Sequence, residues 1–88
     1  MRIDIHPHAE ERMTSRGATA DEVNQTIAEG ERFPAKHGRR GFRRNFPGEV
    51  QWRGKLFNGK QIEVYAVVED ETITVITVIV KYLSEVSQ

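Results

Sequence analysis

The most hydrophobic part of the chain is a pair of segments near its C-terminal end. Residues 72–81 are dense in β-branched side chains, which favour a largely buried strand. Residues 61–68 alternate between apolar and polar positions, so they predict a second strand with one buried face. The polar segment 69–71 joins the two, and the pattern therefore predicts an antiparallel hairpin at the middle of a sheet.

Strict alternation assigns the side chains of this hairpin to two faces. On the first strand, one face would hold Ile62, Val64, Ala66 and Val68. On the second strand, one face would hold Ile73, Val75, Thr77 and Ile79, and the other would hold Thr74, Ile76, Val78 and Val80. The second half of this strand is apolar on both faces, which predicts fuller burial toward its C-terminal end.

Two helices are predicted in residues 7–30, which carry the clearest boundary signals in the chain. The first would span residues 7–16, because a proline lies in its first turn and Gly17 follows its last residue. The second would begin after Thr19, which matches a capping box with Glu22. Its apolar face would consist of Ala20, Val23 and Ile27, and Gly30 would end it.

The remaining pattern predicts further strands and turns around the central hairpin. A short edge strand is expected at residues 2–5, and a mobile basic loop is expected at residues 31–41. Strands are expected at residues 42–46 and 50–57, with turns at Pro47-Gly48 and Asn58-Gly59. The tail 82–88 would fray or add a helical turn.

These elements together predict an α+β fold in one domain that spans residues 1–88. Two N-terminal helices, the helical hairpin 7–30, would pack on one face of a four- to five-stranded antiparallel sheet formed mainly by residues 42–81. The element order would be (β)ααββββ, in which the bracketed strand is the short one at the N-terminus. A domain of this size has one modest core, which buries roughly 60–65% of the surface that its unfolded chain exposes.

The composition excludes several classes of site. The chain has no cysteine, so it has no disulfide, no thiolate metal site and no cysteine nucleophile. No apolar run is long enough to span a bilayer, and the N-terminal segment has no apolar signal-peptide core. We therefore expect a cytoplasmic protein that has no membrane partner.

The charge distribution is uneven although the formal net charge is zero. Residues 1–31 hold three Lys/Arg and seven Asp/Glu, a net charge of −4. Residues 32–60 hold nine Lys/Arg and one Asp/Glu, a net charge of +8, and residues 61–88 hold one and five, a net charge of −4. A basic middle third of this kind predicts an anionic partner, or else a solvated loop and edge strand.

Three polar side chains follow one stripe of the first predicted helix. His8, Arg12 and Arg16 are spaced four residues apart and border the core positions Ala9 and Met13. Guanidinium groups at the border of a core are costly unless they meet an acid, a carbonyl or a bound anion. The stripe therefore predicts an anion site, in which arginines bind phosphate and the imidazole transfers a proton.

A structural interpretation of this stripe stays open. The arginines would then pair with nearby acids, and His8 would cap the start of the helix. The candidate acids are Glu11, Glu22 and Glu63.

The basic middle third interleaves cations with aromatic rings, a pattern typical of nucleic-acid binding. The cations are Arg39, Arg40, Arg43, Arg44, Arg53 and Lys55, and the rings are Phe42, Phe46, Trp52 and Phe57. For Trp52 and Phe46, burial statistics favour an ordinary core position over a binding role. Tyr65 and Thr77 of the central hairpin either present hydroxyl groups at a sheet-face site or are buried and hydrogen-bonded.

Several other catalytic patterns are missing from the sequence. It has no phosphate-binding glycine loop and no Gly-x-Ser-x-Gly elbow. His6, His8 and His37 do not match a metal-ligand spacing, so no metal ligand and no cofactor are expected. A metal-free ribonuclease needs a base for the 2′-hydroxyl, an acid for the leaving 5′ oxygen and cations for the developing charge, and His, Tyr, Arg and Lys can supply them.

The chain resembles the domain of unknown function family 4258 over roughly residues 6–80. The matching positions are His8-Ala9, Arg12-Met13 and Arg16-Gly17 in the first helix, Asp21-Glu22-Val23 at the start of the second, and Val75-Ile76-Thr77-Val78 in the last strand. That family is generally regarded as similar to RelE-like toxin ribonucleases, which are small metal-free α+β proteins. Its members are often found beside antitoxin-like partners.

This resemblance implies a RelE-like, metal-independent endoribonuclease that is the toxin of a toxin–antitoxin pair. Its partners would be RNA, including ribosome-associated mRNA, and an antitoxin protein. The candidate catalytic residues are His8, Tyr65 and Thr77. The candidate phosphate- and RNA-binding residues are Arg12, Arg16, Arg43, Arg44, Arg53 and Lys55.

Two alternatives stay open at this point. The first is a non-catalytic module that binds RNA or a protein through the basic middle third. The second is a small domain whose arginine stripe is structural and whose exposed strand forms a homodimer. An enzyme requires His8 or Tyr65 to be open to solvent beside the arginines, whereas a structural domain requires Arg12 and Arg16 to be buried against acids.

Overall fold

The computed structural model describes residues 1–86 and contains two helices and a five-stranded sheet. The elements are β1 (Arg2–Ile5), α1 (Pro7–Arg16), α2 (Ala20–Glu29), β2 (Glu31–Pro34), β3 (Arg40–Trp52), β4 (Lys55–Glu69) and β5 (Thr72–Glu85). A short 3₁₀ turn, Lys36–Gly38, joins β2 to β3. The expectation of an α+β fold with two N-terminal helices is confirmed.

The sheet is mixed, because its strands do not all run antiparallel. They lie in the order β1-β5-β4-β3-β2, and β2 to β5 form an antiparallel meander. β1, however, pairs with β5 in parallel, with Ile3 opposite Ile73. The expectation of a purely antiparallel sheet is therefore wrong. A parallel pair needs a long connection between its strands. Here residues 6–71, which include both helices and the other three strands, form that connection.

The helix boundaries follow the sequence signals. Gly17 adopts a left-handed conformation after α1, with φ of 83°. Thr19 and Glu22 form both bonds of the predicted capping box before α2. The start of α1 differs from the expectation, because Nδ1 of His6 accepts a bond from the backbone N–H of His8 at 3.1 Å. The capping side chain is therefore His6, and the interpretation of His8 as the cap is wrong.

The apolar face of α2 is narrower than predicted. Val23 and Ile27 are buried, whereas Ala20 is exposed at the first turn of the helix. Thr26 completes the buried face, and its hydroxyl donates to the carbonyl of Glu22 at 2.8 Å. A hydroxyl that bonds its own helix backbone is buried without an unsatisfied polar group.

Residues 31–41 are ordered secondary structure, so the prediction of a mobile loop is wrong. β2 pairs with β3 antiparallel, with Phe33 opposite Gly41. A side chain at Gly41 would overlap the Phe33 ring, so this glycine allows close contact with the ring rather than marking a loop. Pro34 is compatible with a strand because β2 lies at the edge of the sheet, where a missing N–H does not break the ladder.

β3 and β4 form one long hairpin, and its turn is at Arg53-Gly54. Both turn residues have positive φ, 50° and 78°, as a two-residue hairpin turn requires. The predicted turns at Pro47-Gly48 and Asn58-Gly59 are both wrong. These two segments instead lie opposite each other where the β3–β4 register shifts. A bulge uses the same residue types as a turn, so the local sequence does not distinguish the two.

The central hairpin of β4 and β5 is confirmed, but a bulge in β5 exchanges its faces. Tyr65 is opposite Thr77 and Ala66 is opposite Val75, so Ile76 is an extra residue between them. Val78 consequently joins the core and is fully buried. The assignment of Thr77 and Ile79 to the same face as Ile73 and Val75 is wrong, because one inserted residue moves every later side chain to the other face.

The core lies between the helices and one face of the sheet. Its buried side chains come from α1, α2, the connection between them, β3, β4 and β5: Ala9, Met13, Ala18, Val23, Ile27, Phe42, Ile62, Val64, Ala66, Ile73, Val75 and Val78. β5 continues to Glu85, so the expectation of a frayed or helical tail is wrong for residues 82–85. Residues 87 and 88 of that predicted tail lie outside the described residues. Neither helix is long and apolar enough to cross a membrane in the part of the chain that the structure describes.

Candidate functional site

The sheet has two different faces, and the helices cover only one of them. Ile62, Val64 and Ala66 of β4 point to the helices and are fully buried. Their neighbours Glu63 and Tyr65 therefore point to the opposite, open face, since side chains alternate along a strand. We call the polar group on this side the open-face cluster; it consists of Glu31, Phe33, Arg43, Glu63, Tyr65, Thr77 and Lys81.

Glu63 lies at the centre of the open-face cluster. It is only 4% exposed, although no helix covers this face. Its Oε1 accepts a bond from the Tyr65 hydroxyl at 3.3 Å, and its Oε2 lies 3.4 Å from Arg43 and 3.5 Å from Lys81. Burying a carboxylate is costly unless cations and donors surround it, and here three groups do so. The negative charge of the buried Glu63 carboxylate is therefore compensated by Arg43, Tyr65 and Lys81.

Arg43 joins two acids and one ring. Its Nη2 lies 2.6 Å from Oε1 of Glu31, and its guanidinium carbon lies 4.7 Å from the centre of the Phe33 ring. The hydrogen bond to Glu31 raises the pKa of Arg43; burial opposes this, and the bond to Glu63 adds to it. The guanidinium plane is thus fixed at the surface as a permanent cation.

Tyr65 connects Glu63 to the neighbouring cleft. Its ring meets Phe33 edge to face, with centroids 6.0 Å apart. Burial raises the pKa of the Tyr65 phenol, and the Glu63 carboxylate raises it further, whereas Arg43 acts in the opposite direction. The phenol therefore keeps its proton at neutral pH. It can donate a hydrogen bond to a ligand, but it is not suited to act as a base.

A cleft of about 420 Å³ opens beside Tyr65, between the sheet and the β2–β3 connection. Its lining residues are Phe33, Pro34, Ala35, Lys36, His37, Arg39, Tyr65 and Thr77. The connection is closed by a bond from the backbone N–H of Ala35 to the carbonyl of Arg39 at 2.9 Å. The structure thus brings together Tyr65 and Thr77, two of the predicted catalytic residues, and adds three basic side chains that were not assigned to a site with them.

The third predicted catalytic residue, His8, does not lie with the other two. It belongs to α1, which covers the opposite face of the sheet, and its Nε2 lies 3.3 Å from Nη2 of Arg12. A wider depression of about 720 Å³ borders both residues, but every residue that lines it belongs to α1. No second element encloses this surface, so we consider the smaller cleft the better candidate for binding chemistry.

Arg16 contacts the last strand of the sheet, β5, through both its side chain and its backbone. Its Nη1 donates to the carbonyl of Val78 at 2.8 Å, and its own carbonyl accepts a bond from the Tyr82 hydroxyl at 2.9 Å. The interpretation that Arg16 pairs with an acid is therefore wrong, because its partner is the backbone of β5. β1 pairs with residues 72–75 of β5, so the Val78 carbonyl lies beyond that pairing and accepts its bond from Arg16 instead.

Three other predicted RNA-binding residues lie away from the open-face cluster. Arg44 lies 3.4 Å from Glu29 of α2 and stacks on Phe46, so it belongs to the helix-covered face. Arg53 stacks on the Trp52 ring in the β3–β4 turn, and Lys55 is exposed at the same turn. The predicted alternation of cations and rings is thus present, but the chain uses it in internal cation–π contacts.

Phe46 and Trp52, the two aromatic residues for which the sequence also allows a core position, lie in different environments. Phe46 packs against the core from β3. Trp52 stacks on Tyr82 with centroids 5.4 Å apart, near the turn of the long hairpin. Burial raises the pKa of Tyr82, and Glu22 raises it further, while Arg53 opposes the increase. This aromatic pair therefore closes the end of the helix-covered face and lies apart from the cleft.

Sequence reasoning missed four residues that the structure makes prominent. The sequence indicates Glu63 only as a pairing partner of an arginine, and it indicates no role for Lys81, His37 or Lys60. One signal was available for Glu63: it is an acid in a strand whose other face is entirely apolar. The position of His37 depends on the β2–β3 connection, which the sequence did not predict. In residues 1–86, no three His, Asp or Glu side chains lie close enough to hold a metal ion.

Comparison with known proteins adds one match. The family described as "Domain of unknown function (DUF4258)" matches residues 5–80. Neither the curated proteins nor the solved structures contain a match to the chain. The family resemblance drawn from the helix and strand motifs is therefore confirmed, and the chain belongs to the DUF4258 family of domains of unknown function.

Proposed function

We propose that this chain is a metal-independent endoribonuclease whose site is the open-face cluster and its cleft. The observation that carries the proposal is the buried carboxylate of Glu63, which is surrounded by Arg43, Tyr65 and Lys81 on the face without helices. A carboxylate that acts as a base and cations that bind the phosphate are two of the groups that cleavage of RNA by its own 2′-hydroxyl requires, and a protonated phenol can add a hydrogen bond to the substrate.

In this proposal Glu63 is the base that accepts the proton of the 2′-hydroxyl. A carboxylate has about four acceptor positions, and three of those on Glu63 are occupied by protein donors. The remaining position is on Oε1, the oxygen that the Tyr65 hydroxyl contacts, and Tyr65 also lines the cleft. All three existing bonds are 3.3 Å or longer, so a substrate hydroxyl can compete with them for this oxygen.

The cations would bind the phosphate and stabilise its developing charge. Arg43 is already oriented by Glu31 and Phe33, so little side-chain entropy is lost when it binds an anion. Lys81 is more than half exposed and adds a second, mobile cation at the same carboxylate. Thr77, which is opposite Tyr65 on the neighbouring strand, would donate its hydroxyl bond to a phosphate oxygen, and Tyr65 would exchange its bond to Glu63 for one to the phosphate.

We further propose that the enzyme is a RelE-like toxin that an antitoxin protein inhibits. The arrangement of two helices on one face of a small sheet, with polar residues on the other face, supports this assignment. An antitoxin would have to cover the open-face cluster or its cleft. Expression in a bacterium is then expected to inhibit growth, and a Glu63→Gln variant of equal abundance is expected to grow normally.

The direct test is RNA cleavage by the purified protein in the presence of a chelator. We expect cleavage that leaves 2′,3′-cyclic phosphate ends and that falls at least a hundredfold in Glu63→Gln, roughly the contribution of a general base. A matched control is Glu29→Gln, which removes an acid that lies beside Arg44 on the helix-covered face. Circular dichroism and thermal unfolding would verify that both variants fold.

The contrasting candidate is a binding module that holds RNA on the same surface without cleaving it. The stacking of Arg43 on Phe33, with Tyr65 beside them, favours this second candidate because rings and cations on a sheet suit unstacked bases. Binding of RNA by the wild-type protein without any cleavage, with or without ribosomes, would select the module and reject the enzyme.

A further inference from the structure

The cleft contains a titratable group to which the proposed function has given no role. We propose that His37 is the general acid that protonates the leaving 5′ oxygen, and that the cleft binds the RNA phosphodiester on the 3′ side of the attacking ribose. This inference rests on the proposed function, since it completes the proton transfers that Glu63 begins. It also assigns a specific ligand class, a ribonucleotide phosphodiester, to the cleft.

The three histidines of the chain have three different environments. His6 caps α1, where its Nδ1 accepts the bond from the backbone of His8. His8 lies beside Arg12 on α1, behind the opposite face of the sheet. Of the three histidines, His37 is the one that lines the cleft, where Tyr65 and Thr77 also lie. An imidazole serves as a proton donor or acceptor in many enzymes, so His37 is the candidate for that role in the cleft.

The backbone of the connection holds His37 in an uncommon conformation. Its φ is 63° and its ψ is 34°, the left-handed region that a non-glycine residue rarely adopts. The next residue, Gly38, is left-handed as well, with φ of 70°. A left-handed conformation is strained for a residue other than glycine, and strained residues of this kind cluster at binding and catalytic sites. The bond between Ala35 and Arg39 closes the turn around this residue.

The charges around the cleft suit an anionic ligand. Lys36 and Arg39 flank His37 in sequence and line the same cleft, and Tyr65 is the titratable group on the sheet side. Within residues 1–86, no acidic side chain lines the cleft. Two fixed cations beside an imidazole attract a phosphate, and a bound phosphate in turn favours the protonated imidazolium that a general acid requires.

Tyr65 bridges the two halves of the site. Its hydroxyl contacts Glu63, and its side chain lines the cleft with His37. A phosphodiester next to the phenol would therefore be near both the proposed base and the proposed acid. In-line displacement requires these two groups on opposite sides of phosphorus, and the proposal assigns Glu63 and His37 to those two sides.

The step balances without any co-reactant. The 2′-hydroxyl loses its proton to Glu63, and the 2′ oxygen forms a bond to phosphorus while the bond from phosphorus to the 5′ oxygen breaks. The imidazolium of His37 gives its proton to that oxygen. The products are a 2′,3′-cyclic phosphate and a 5′-hydroxyl, and a proton passes through solvent from the Glu63 carboxyl back to the imidazole.

Two substrates separate this role from a structural one. Ribonucleotide RNA has a poor alkoxide leaving group that needs an acid, whereas uridine 3′-(p-nitrophenyl phosphate) has a phenolate leaving group that does not. We expect His37→Gln to cleave RNA on the order of 10²–10⁴-fold more slowly and to cleave the nitrophenyl ester within about threefold of the wild-type rate. His8→Gln, the matched control on α1, is expected to retain both activities.

The pH dependence gives a second measurement. The wild-type rate of RNA cleavage should fall on the alkaline side as the general acid loses its proton, and this alkaline limb should be absent in His37→Gln. Binding of a non-cleavable 2′-O-methyl RNA should change less than threefold in the variant, because Lys36, Arg39 and Arg43 remain. That readout shows whether the variant still forms the site.

The other outcomes overturn the inference in distinguishable ways. Equal losses on both substrates would show that His37 is not the acid, and full RNA cleavage by His37→Gln would show that it has no role in the reaction. In both cases the wild-type protein cleaves RNA, so the proposed function survives. No cleavage of either substrate by the wild-type protein would overturn the function and the inference together.

Discussion

Lys60 of β4 and Glu22 of α2 form a partly buried ion pair, with Nζ 2.9 Å from Oε1. The same Nζ donates to the carbonyl of Gly17 at 2.7 Å, so one ammonium group joins the sheet to both helices. The Glu22 carboxylate also accepts the backbone N–H of Thr19 in the capping box. The start of α2 and the end of α1 therefore depend on a single lysine.

Replacing this lysine should destabilise the fold. Lys60→Met leaves the carbonyl of Gly17 without its donor and Glu22 without its cation, and a hydrogen bond to a charged group contributes about 1.5–3 kcal/mol. We expect the free energy of unfolding in denaturant to fall by about 2 kcal/mol. Lys55→Met, an exposed lysine on the same strand, should change it by less than about 0.5 kcal/mol. Equal stabilities of the two variants would contradict the role assigned to Lys60.

The same pair predicts a pH dependence of stability. Burial by itself raises the pKa of Glu22, but bonds from Lys60 and Thr19 outweigh it, so the pKa lies below its ordinary value. The folded protein therefore holds this carboxylate ionised to lower pH than the unfolded chain does. Its contribution is present above the unfolded pKa and is lost as the pH falls through the folded pKa.

Measured between about pH 6 and about pH 3, the stability of the wild-type protein should consequently fall more steeply than that of Lys60→Met. Denaturant midpoints at a series of pH values check this difference. Parallel curves for the two proteins would show that Glu22 is not coupled to Lys60.

Arg16 should matter for stability, and its neighbour Arg12 should not. Arg16→Gln removes the donor to the Val78 carbonyl, and an unsatisfied backbone group of this kind costs about 1–3 kcal/mol. Arg12→Gln removes an exposed contact with His8 and should cost less than about 0.5 kcal/mol. Thermal unfolding of the two variants tests this order, and a larger loss in Arg12→Gln would reverse the assignment of the stripe.

The helices could be predicted from sequence because their signals are local. The glycine at position 17 and the capping box at Thr19 act within a single turn of helix, and both are present in the structure. The sheet was predicted less completely. The bulge at Ile76 changes which face Thr77 occupies, and no local signal in a run of β-branched residues marks an inserted residue.

The candidate site depends on contacts between residues that are distant in sequence. Tyr65 and Thr77 were singled out for their hydroxyl groups in the central hairpin, and their pairing across two strands follows from the β4–β5 register. His37 could not be assigned to the site, because its position depends on β2 pairing with β3. Helix periodicity predicts that His8 and Arg12 lie on one side of α1. It does not show which face of the sheet that helix covers.

We propose that RNA is cleaved on the open face of the sheet and not on the stripe of α1. The decisive experiment compares the initial rate of RNA cleavage, with a chelator present, for Lys81→Gln and Arg12→Gln. Each variant removes one positive charge, the first beside Glu63 and the second beside His8. We expect a loss of roughly tenfold for Lys81→Gln, equivalent to about 1.4 kcal/mol, and a rate within about twofold of wild type for Arg12→Gln. The opposite order would place the reaction on α1 and reject the open face.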